Sequence, residues 1–143
     1  MLSEDAFADV SGLARVIDGD TIEVSGHRVR LHGIDAPELK QICKRNSDDW
    51  QCGLDATRAL NDKLEGNSVR CEEKDRDRYR RIIAKCFFGD IDINEWLVLN
   101  GWAVSYNYYS DDYYSAEIFA KSKRNGIWAS KFIMPWHWRR GHR

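Results

Sequence analysis

The segment Leu13–Asp35, LARVIDGDTIEVSGHRVRLHGID, holds three β-rich runs separated by the turn dipeptides Asp18-Gly19 and Gly26-His27. That punctuation predicts a meander of antiparallel hairpins. A hairpin turning at Gly26-His27 sets Asp20 opposite Gly33, Ile22 opposite Leu31 and Val24 opposite Val29,. The pairing supplies one apolar face for a core. It also brings Asp20 to the same end of the sheet as Asp35, two residues beyond Gly33. Like charges so close repel and favour a cation between them. Oxygen-only ligands suit a hard ion such as Ca²⁺, with backbone carbonyls and waters completing its shell.

Around that pair the sequence offers Arg30, Glu38 and Arg81. A guanidinium presents a planar fork that matches phosphate oxygens and stays charged at ordinary pH. A metal, two arginines and a spare carboxylate form a kit for phosphodiester hydrolysis. The metal polarises the phosphoryl oxygen, the arginines neutralise developing charge, and Glu38 activates water.

Outward from this core, residues 1–12 are polar and aperiodic and read as a flexible lead, and Leu39–Cys52 reads as a long loop. A helix is predicted over Gly53–Glu65, followed by strands over Ser68–Lys74 and Arg81–Phe88 joined by the turn DRDRYR,. Asp92 with Glu95 resembles a capping box opening the helix INEWLVLN, and a last helix spans Tyr113–Asn125,. The order βββ-α-ββ-α-α fits an α+β, mainly β architecture: a closed five-stranded barrel with three α-helices. The expected divisions are a lead over 1–12, a domain over 13–135 and a basic aromatic tail over 136–143. The tail, with Lys131, Arg139, Arg140 and Arg143 in its neighbourhood and no acid, either holds phosphates weakly or is a solvated terminus docked by its tryptophans,.

With 143 residues the chain is one domain, and its net charge of −1 leaves no global field for nucleic acid or membrane, so any such site is a local patch,. No apolar run is long enough to span a bilayer. The start, MLSEDAFADV, lacks the features of a signal peptide,. The expectation is a protein that is not exported or one whose signal has been removed. Cys43, Cys52, Cys71 and Cys86 include no CxxC pair, which argues against zinc,. The predicted elements favour Cys43–Cys52 within the loop and Cys71–Cys86 across the hairpin, hence a secreted or periplasmic protein. The alternative is four reduced thiols in the cytoplasm. His27, His32, His137 and His142 show no metal-ligand spacing, and Trp96, Trp102 and Trp128 read as core. The tyrosine cluster from Tyr106 to Tyr114 either stacks bases or packs the last helix on the barrel,.

The blocks VIDGDT, VRLHGIDAPE and DRYRR, in that order, resemble the signature of the staphylococcal nuclease family, and INEWLVLNGWA and KSKRNGIW resemble its later helices. The resemblance runs from about Leu13 to Pro135. It implies an OB-fold-type barrel and a Ca²⁺-dependent, largely sugar-nonspecific nuclease that cleaves DNA and RNA to 3′-phosphorylated products. Calcium would fall to Asp20, Asp35 and the backbone carbonyl of Ala36, and catalysis to Arg30, Glu38 and Arg81. Glu38 would act as general base or as an organiser of metal and water. Arg78 and Tyr79 would contact substrate, and base-stacking tyrosines of the family align with Tyr106, Tyr108 and Tyr109. Two departures stand out: Arg80 replaces a frequent glycine, and the Leu39–Cys52 loop lacks the lysines of the staphylococcal enzyme. The expected partners are single-stranded or denatured DNA and RNA, with no membrane or protein partner and a monomeric state. Two other functions remain open: a non-catalytic nucleic-acid- or protein-binding module of this fold, and a metal-dependent phosphatase of small esters.

Overall fold

A computed structural model describes residues 9–106 and 110–143 of the chain. Five strands close on themselves. β1 (Asp9–Asp18) pairs antiparallel with β2 (Thr21–Val24) and with β7 (Ser68–Arg76). β2 pairs with β3 (His27–Leu31), β7 pairs with β8 (Ile82–Phe88), and a parallel β3–β8 ladder seals the barrel. β9 (Ile91–Asp92) extends the sheet beyond β8. Around the barrel lie α1 (Cys52–Leu64), α2 (Ile93–Leu99), α3 (Tyr114–Lys123), a 3-10 turn at Gly126–Ala129 and α4 (Pro135–Arg139). The architecture is the expected OB-type barrel, mainly β, and α4 adds a short fourth helix that crosses the expected boundary between domain and tail at residues 135 and 136.

The β2–β3 hairpin turns at Ser25-Gly26, not Gly26-His27. Both turn residues adopt positive φ, 49° and 79°, as a tight two-residue hairpin requires,. Ile22 therefore faces Val29 and Val24 faces His27, a slip of two residues from the expected register. Because the slip is even, the same side chains point inward, and Ile22, Val24, Val29 and Leu31 are all buried,. They meet Leu60 and Leu64 of α1 and Ile93, Leu97 and Val98 of α2 in the main core.

Two further expectations are corrected. Residues 9–12, expected in the lead, belong to β1, because Asp9–Leu13 pairs with Ser68–Glu72; the exposed side chains, Asp9, Ser11 and Leu13, mix polar with apolar, so hydropathy does not reveal the paired backbone. The Leu39–Cys52 loop contains a small hairpin, β5 (Cys43–Arg45) with β6 (Asp48–Trp50), turned by Asn46 and Ser47 at positive φ. Three-residue strands are too short to show a periodicity. In the β7–β8 hairpin a bulge between Glu73 and Asp75 shifts the register, so Cys71 lies directly opposite Cys86,.

The structure contains the disulfides Cys43–Cys52 and Cys71–Cys86, all four sulfur-bearing residues being buried. Asp92 caps α2 by accepting from the Glu95 amide (3.1 Å), as the capping-box spacing implies,. Trp96 and Trp102 pack against the main core. Trp102 and Trp128 pack against a second, smaller one around Cys43, Trp50, Cys52, Val104 and Ile127. Among the described residues no helix is long and apolar enough to cross a membrane.

Candidate active site

The site assembles at one mouth of the barrel from three stretches of chain. The β1–β2 turn, Asp18-Gly19-Asp20, closes with the Asp20 amide donating to Asp18 Oδ1 (3.1 Å). This leaves the Asp20 carboxylate inside, where Oδ1 accepts from Thr21 Oγ1 (3.2 Å) and Oδ2 from the Ala36 amide (2.8 Å). Asp35 belongs to the two-residue β4 (Ile34–Asp35), which pairs with β10 (Val104–Ser105). β10 is itself pinned from α3, because the Ser105 amide donates to Oε1 of buried Glu117 (2.9 Å). Asp35 is thus fixed by secondary structure on both sides.

Arg30, near the end of β3, joins the two acids. Its Nη2 lies 3.5 Å from Asp20 Oδ2 and 3.6 Å from Asp35 Oδ1, while Nη1 donates to the Leu31 carbonyl (2.9 Å). Asp20, Asp35 and Arg30 converge as the sequence reading expects, although Asp20 faces Leu31 across the hairpin rather than Gly33.

Glu38 stands at the rim. Its backbone is held by fully buried Gln41, whose Oε1 accepts from the Glu38 amide (3.1 Å) and whose Nε2 donates to the Ile133 carbonyl (2.7 Å). The start of α1 packs on the same loop, where a Cβ on Gly53 would lie 1.6 Å from the Glu38 carbonyl oxygen. Only glycine allows that approach.

A fifth charged group joins these four, one that the sequence does not assign to the site. Arg139 of α4 donates from Nη1 to Asp35 Oδ1 (2.9 Å) and Glu38 Oε1 (2.6 Å), and from Nη2 to Asp35 Oδ2 (2.8 Å). Nothing in the spacing of a basic tail 104 residues from Asp35 predicts this contact. Asp18 was also overlooked as more than a turn residue, and Gln41 lay in a stretch without pattern. The available signals were the D-G-D repeat itself and an uncompensated cluster of arginines in the tail.

The electrostatics follow from burial and these partners. Burial pushes Asp18 up to about 7, aided by the charge of Asp20 and a hydrogen bond with it. Burial also opposes charge on Asp20, but Arg30 beside it, the hydrogen bonds from Asp18 and Ala36, and Arg139 hold it below the ordinary carboxylate range. Desolvation lifts Asp35 to about 6 against the hydrogen bonds from Arg139, with the neighbouring Asp20 adding to the rise. The same contacts, the Asp35 hydrogen bond first, raise Arg139 above its usual value. Two crowded carboxylates balanced by two guanidiniums are a site that wants positive charge.

Arg81 is not on the carboxylates. It sits in the turn after β7 with Nε donating to Asp77 Oδ2 (2.7 Å) and its amide to Asp77 Oδ1 (3.0 Å). The preceding Arg80 has φ +65°, the left-handed region that glycine favours, which accounts for glycine suiting this position,. Arg30 and Arg81 nevertheless face one groove of about 620 Å³, with Arg76, Arg78, Tyr79 and Tyr106 on its walls. The Arg78 guanidinium lies 5.1 Å from the centre of the Tyr79 ring, Tyr79 is exposed, and Tyr106 packs on Trp136 (5.5 Å). Tyr108 and Tyr109 lie outside the described residues.

Among the described residues no group of three or more His, Cys, Asp and Glu side chains is arranged to hold a metal ion. The donors present, Asp20 and Asp35 with the Ala36 backbone beside them, are all oxygen and fit a hard divalent cation in chemistry,. In this structure arginine takes that charge-balancing role.

The family model for staphylococcal nuclease homologues matches residues 28–130. The chain is 41% identical over 137 residues to the succinoglycan biosynthesis protein ExoI of Rhizobium meliloti, covering 92% of this chain and 72% of that protein. It is 36% identical over 141 residues to an uncharacterized endonuclease of Escherichia coli (92% and 86% covered). It is also 33% identical over 159 residues to the micrococcal nuclease of Shigella flexneri (98% and 86% covered). Matched over most of its length by that model and by relatives across their own lengths, this chain belongs to the staphylococcal nuclease homologues.

Proposed function

We propose that the chain is a Ca²⁺-dependent nuclease that hydrolyses the phosphodiester bonds of single-stranded or denatured DNA and RNA to 3′-phosphorylated products. The observation that carries this reading is the convergence of Asp20 and Asp35 on Arg30, with Glu38 joined to Asp35 through Arg139, beside a groove that Arg30 itself lines with Arg76, Arg78, Tyr79, Arg81 and Tyr106. The names of the Escherichia coli and Shigella flexneri relatives, an endonuclease and a nuclease, support it.

Asp20, Asp35 and the Ala36 carbonyl would hold the cation, which when bound polarises a phosphoryl oxygen. Arg30, anchored through Nη1 on the Leu31 carbonyl, directs Nη2 toward the same point and binds a non-bridging oxygen of the phosphate. Asp77 engages Arg81 through Nε, which orients the two Nη groups as a fork for the same phosphate or its neighbour,. Glu38, its backbone held by Gln41, accepts a proton from the water that attacks phosphorus; the P–O5′ bond breaks, and the 5′-oxygen leaves as a hydroxyl by taking a proton from solvent, so the phosphate stays on the 3′ side,. Tyr79 and Tyr106 offer ring faces to the bases along the groove,. Two disulfides fit a protein that works in the periplasm or outside the cell,.

Incubation of end-labelled denatured DNA with the protein, in calcium and in chelator, tests the reading. Fragments bearing 3′-phosphates that form only with calcium are the expected result. One observation favours a second reading, a binding module: a guanidinium already satisfies Asp35. DNA retained without cleavage in calcium would select that module.

A further inference from the structure

We propose that Arg139 is an internal rival of the divalent cation, a residue that sets the ion concentration at which the carboxylate site loads. The proposal rests on the reading of Asp20 and Asp35 as cation ligands. Its physical basis is competition for the same lone pairs. The two guanidinium nitrogens of Arg139 occupy both oxygens of Asp35, one on each, and Nη1 is shared with Glu38. Asp35 is only 1% exposed, so no open face of that carboxylate is left for a ligand arriving from solvent. A cation that takes Asp35 as a ligand must therefore displace at least one arm of the fork. Arg30 approaches the same acids at 3.5 and 3.6 Å, beyond a good hydrogen bond, and does not block them in this way,.

The element that carries Arg139 is built for withdrawal. α4 has five residues, and of these only Pro135 is buried. The Arg139 side chain itself is 41% exposed at its ion pair with Asp35. Upstream, the chain is tethered by the Gln41 bond to Ile133 and by Trp136 against Tyr106. The tether ends before Arg139, so the arginine can leave while the segment stays docked. The same Gln41 holds the backbone of Glu38, so the loop bearing one acceptor and the segment bearing the donor share one buried anchor. When the guanidinium leaves, Asp35 and Glu38 are both released, one to bind the ion and the other to meet water.

A site whose competent form is only a fraction of the molecules binds with its intrinsic dissociation constant divided by that fraction. Removing the rival raises the fraction toward one. Calcium titration by calorimetry, with no nucleic acid present, is the test: wild type against Arg139→Gln, with Asp35→Asn as the control that removes a ligand. Arg139→Gln is expected to bind calcium about tenfold more tightly, as for a competent fraction near a tenth, with Asp35→Asn abolishing the heat. Unchanged or weaker calcium binding by Arg139→Gln, where wild type binds through Asp35, overturns the competition and leaves the cation site standing. Absence of binding in every variant, at millimolar calcium, overturns the cation site and the competition together. Should Arg139→Gln unfold at the assay temperature, Arg139→Lys replaces it. That variant keeps the charge and loses the fork, and a smaller tightening is expected.

Discussion

Replacing Gln41 by methionine should weaken the fold and slow the chemistry at once, because one buried amide serves both. Gln41 is fully buried and about the size of methionine, so Gln41→Met removes hydrogen bonds without opening a cavity,. Two bonds go: the one accepted from the Glu38 amide at 3.1 Å and the one donated to the Ile133 carbonyl at 2.7 Å. Each leaves a partly buried backbone partner unsatisfied, a loss of about 1–1.5 kcal/mol apiece and about 2–3 kcal/mol together. With a urea slope of about 2 kcal/mol/M, the midpoint should fall by about 1–1.5 M at unchanged slope. The second consequence is positional. Glu38 loses its amide anchor, and a displacement on the order of 1 Å at a reacting group lowers turnover by up to about a hundredfold. KM for denatured DNA should change less than kcat, because Gln41 is not among the residues that line the groove. A urea midpoint within 0.2 M of wild type, as an order-of-magnitude threshold, would refute the structural role. A lowered midpoint with kcat intact would refute the link to Glu38.

Arg81→Ala should lower turnover on single-stranded DNA by at least about a hundredfold, the scale of losing one charge-stabilising donor; steady-state kinetics on a folded variant check it. The pH dependence has a definite sign. Asp18 and Asp35 carry folded-state pKa values of about 7 and about 6, above the unfolded value of 3.8, so the folded state holds their protons more tightly. Their contribution to stability is complete below about pH 4 and is lost as pH rises through about 6 to 7. Thermal melts in chelator should therefore show Asp18→Asn gaining on wild type between pH 5 and 7, and a gain in the opposite direction would contradict the assignment. Removing the Cys71–Cys86 bond, which closes 15 residues, as a double alanine variant should destabilise by about 3 kcal/mol in urea,. Mass spectrometry of the unreduced, alkylated protein should find no labelled cysteine.

Much of the fold was legible because its defining signals are local. The alternation in Thr21–Leu31 fixes which side chains face the core, and an even slip of register leaves that face intact even though the turn falls at Ser25-Gly26. Asp20, Arg30 and Asp35 meet because the β-meander brings their stretches together, a consequence of strand order readable from turn dipeptides. Where pairing is backbone to backbone between distant stretches, side-chain pattern says little. Asp9–Leu13 joins Ser68–Glu72 with Asp9, Ser11 and Leu13 turned outward, a mixed face with no clean alternation, and the hairpin at Cys43–Trp50 is too short to alternate. The site's last member was beyond any such reading. Arg139 reaches Asp35 from the far end of the chain, and the docking of Met134 and Trp136 on the second core, with the Gln41 bond to Ile133, directs it there. Arg81 differs again: the sequence groups it with the carboxylate pair, whereas it lies in the groove that Arg30 also lines and grips Asp77, through a turn geometry that emerges only in three dimensions.

In the proposed chemistry these groups break phosphodiester bonds, with Glu38 taking the proton of water. Cleavage of denatured DNA by wild type and by Glu38→Gln, each with calcium and with chelator, addresses it most directly. The account predicts calcium-dependent cleavage by wild type, and a loss of at least about a hundredfold in the variant, the scale of removing a general base. Equal rates for the two proteins would remove Glu38 from the chemistry, and no cleavage by folded wild type in calcium would contradict the nuclease itself.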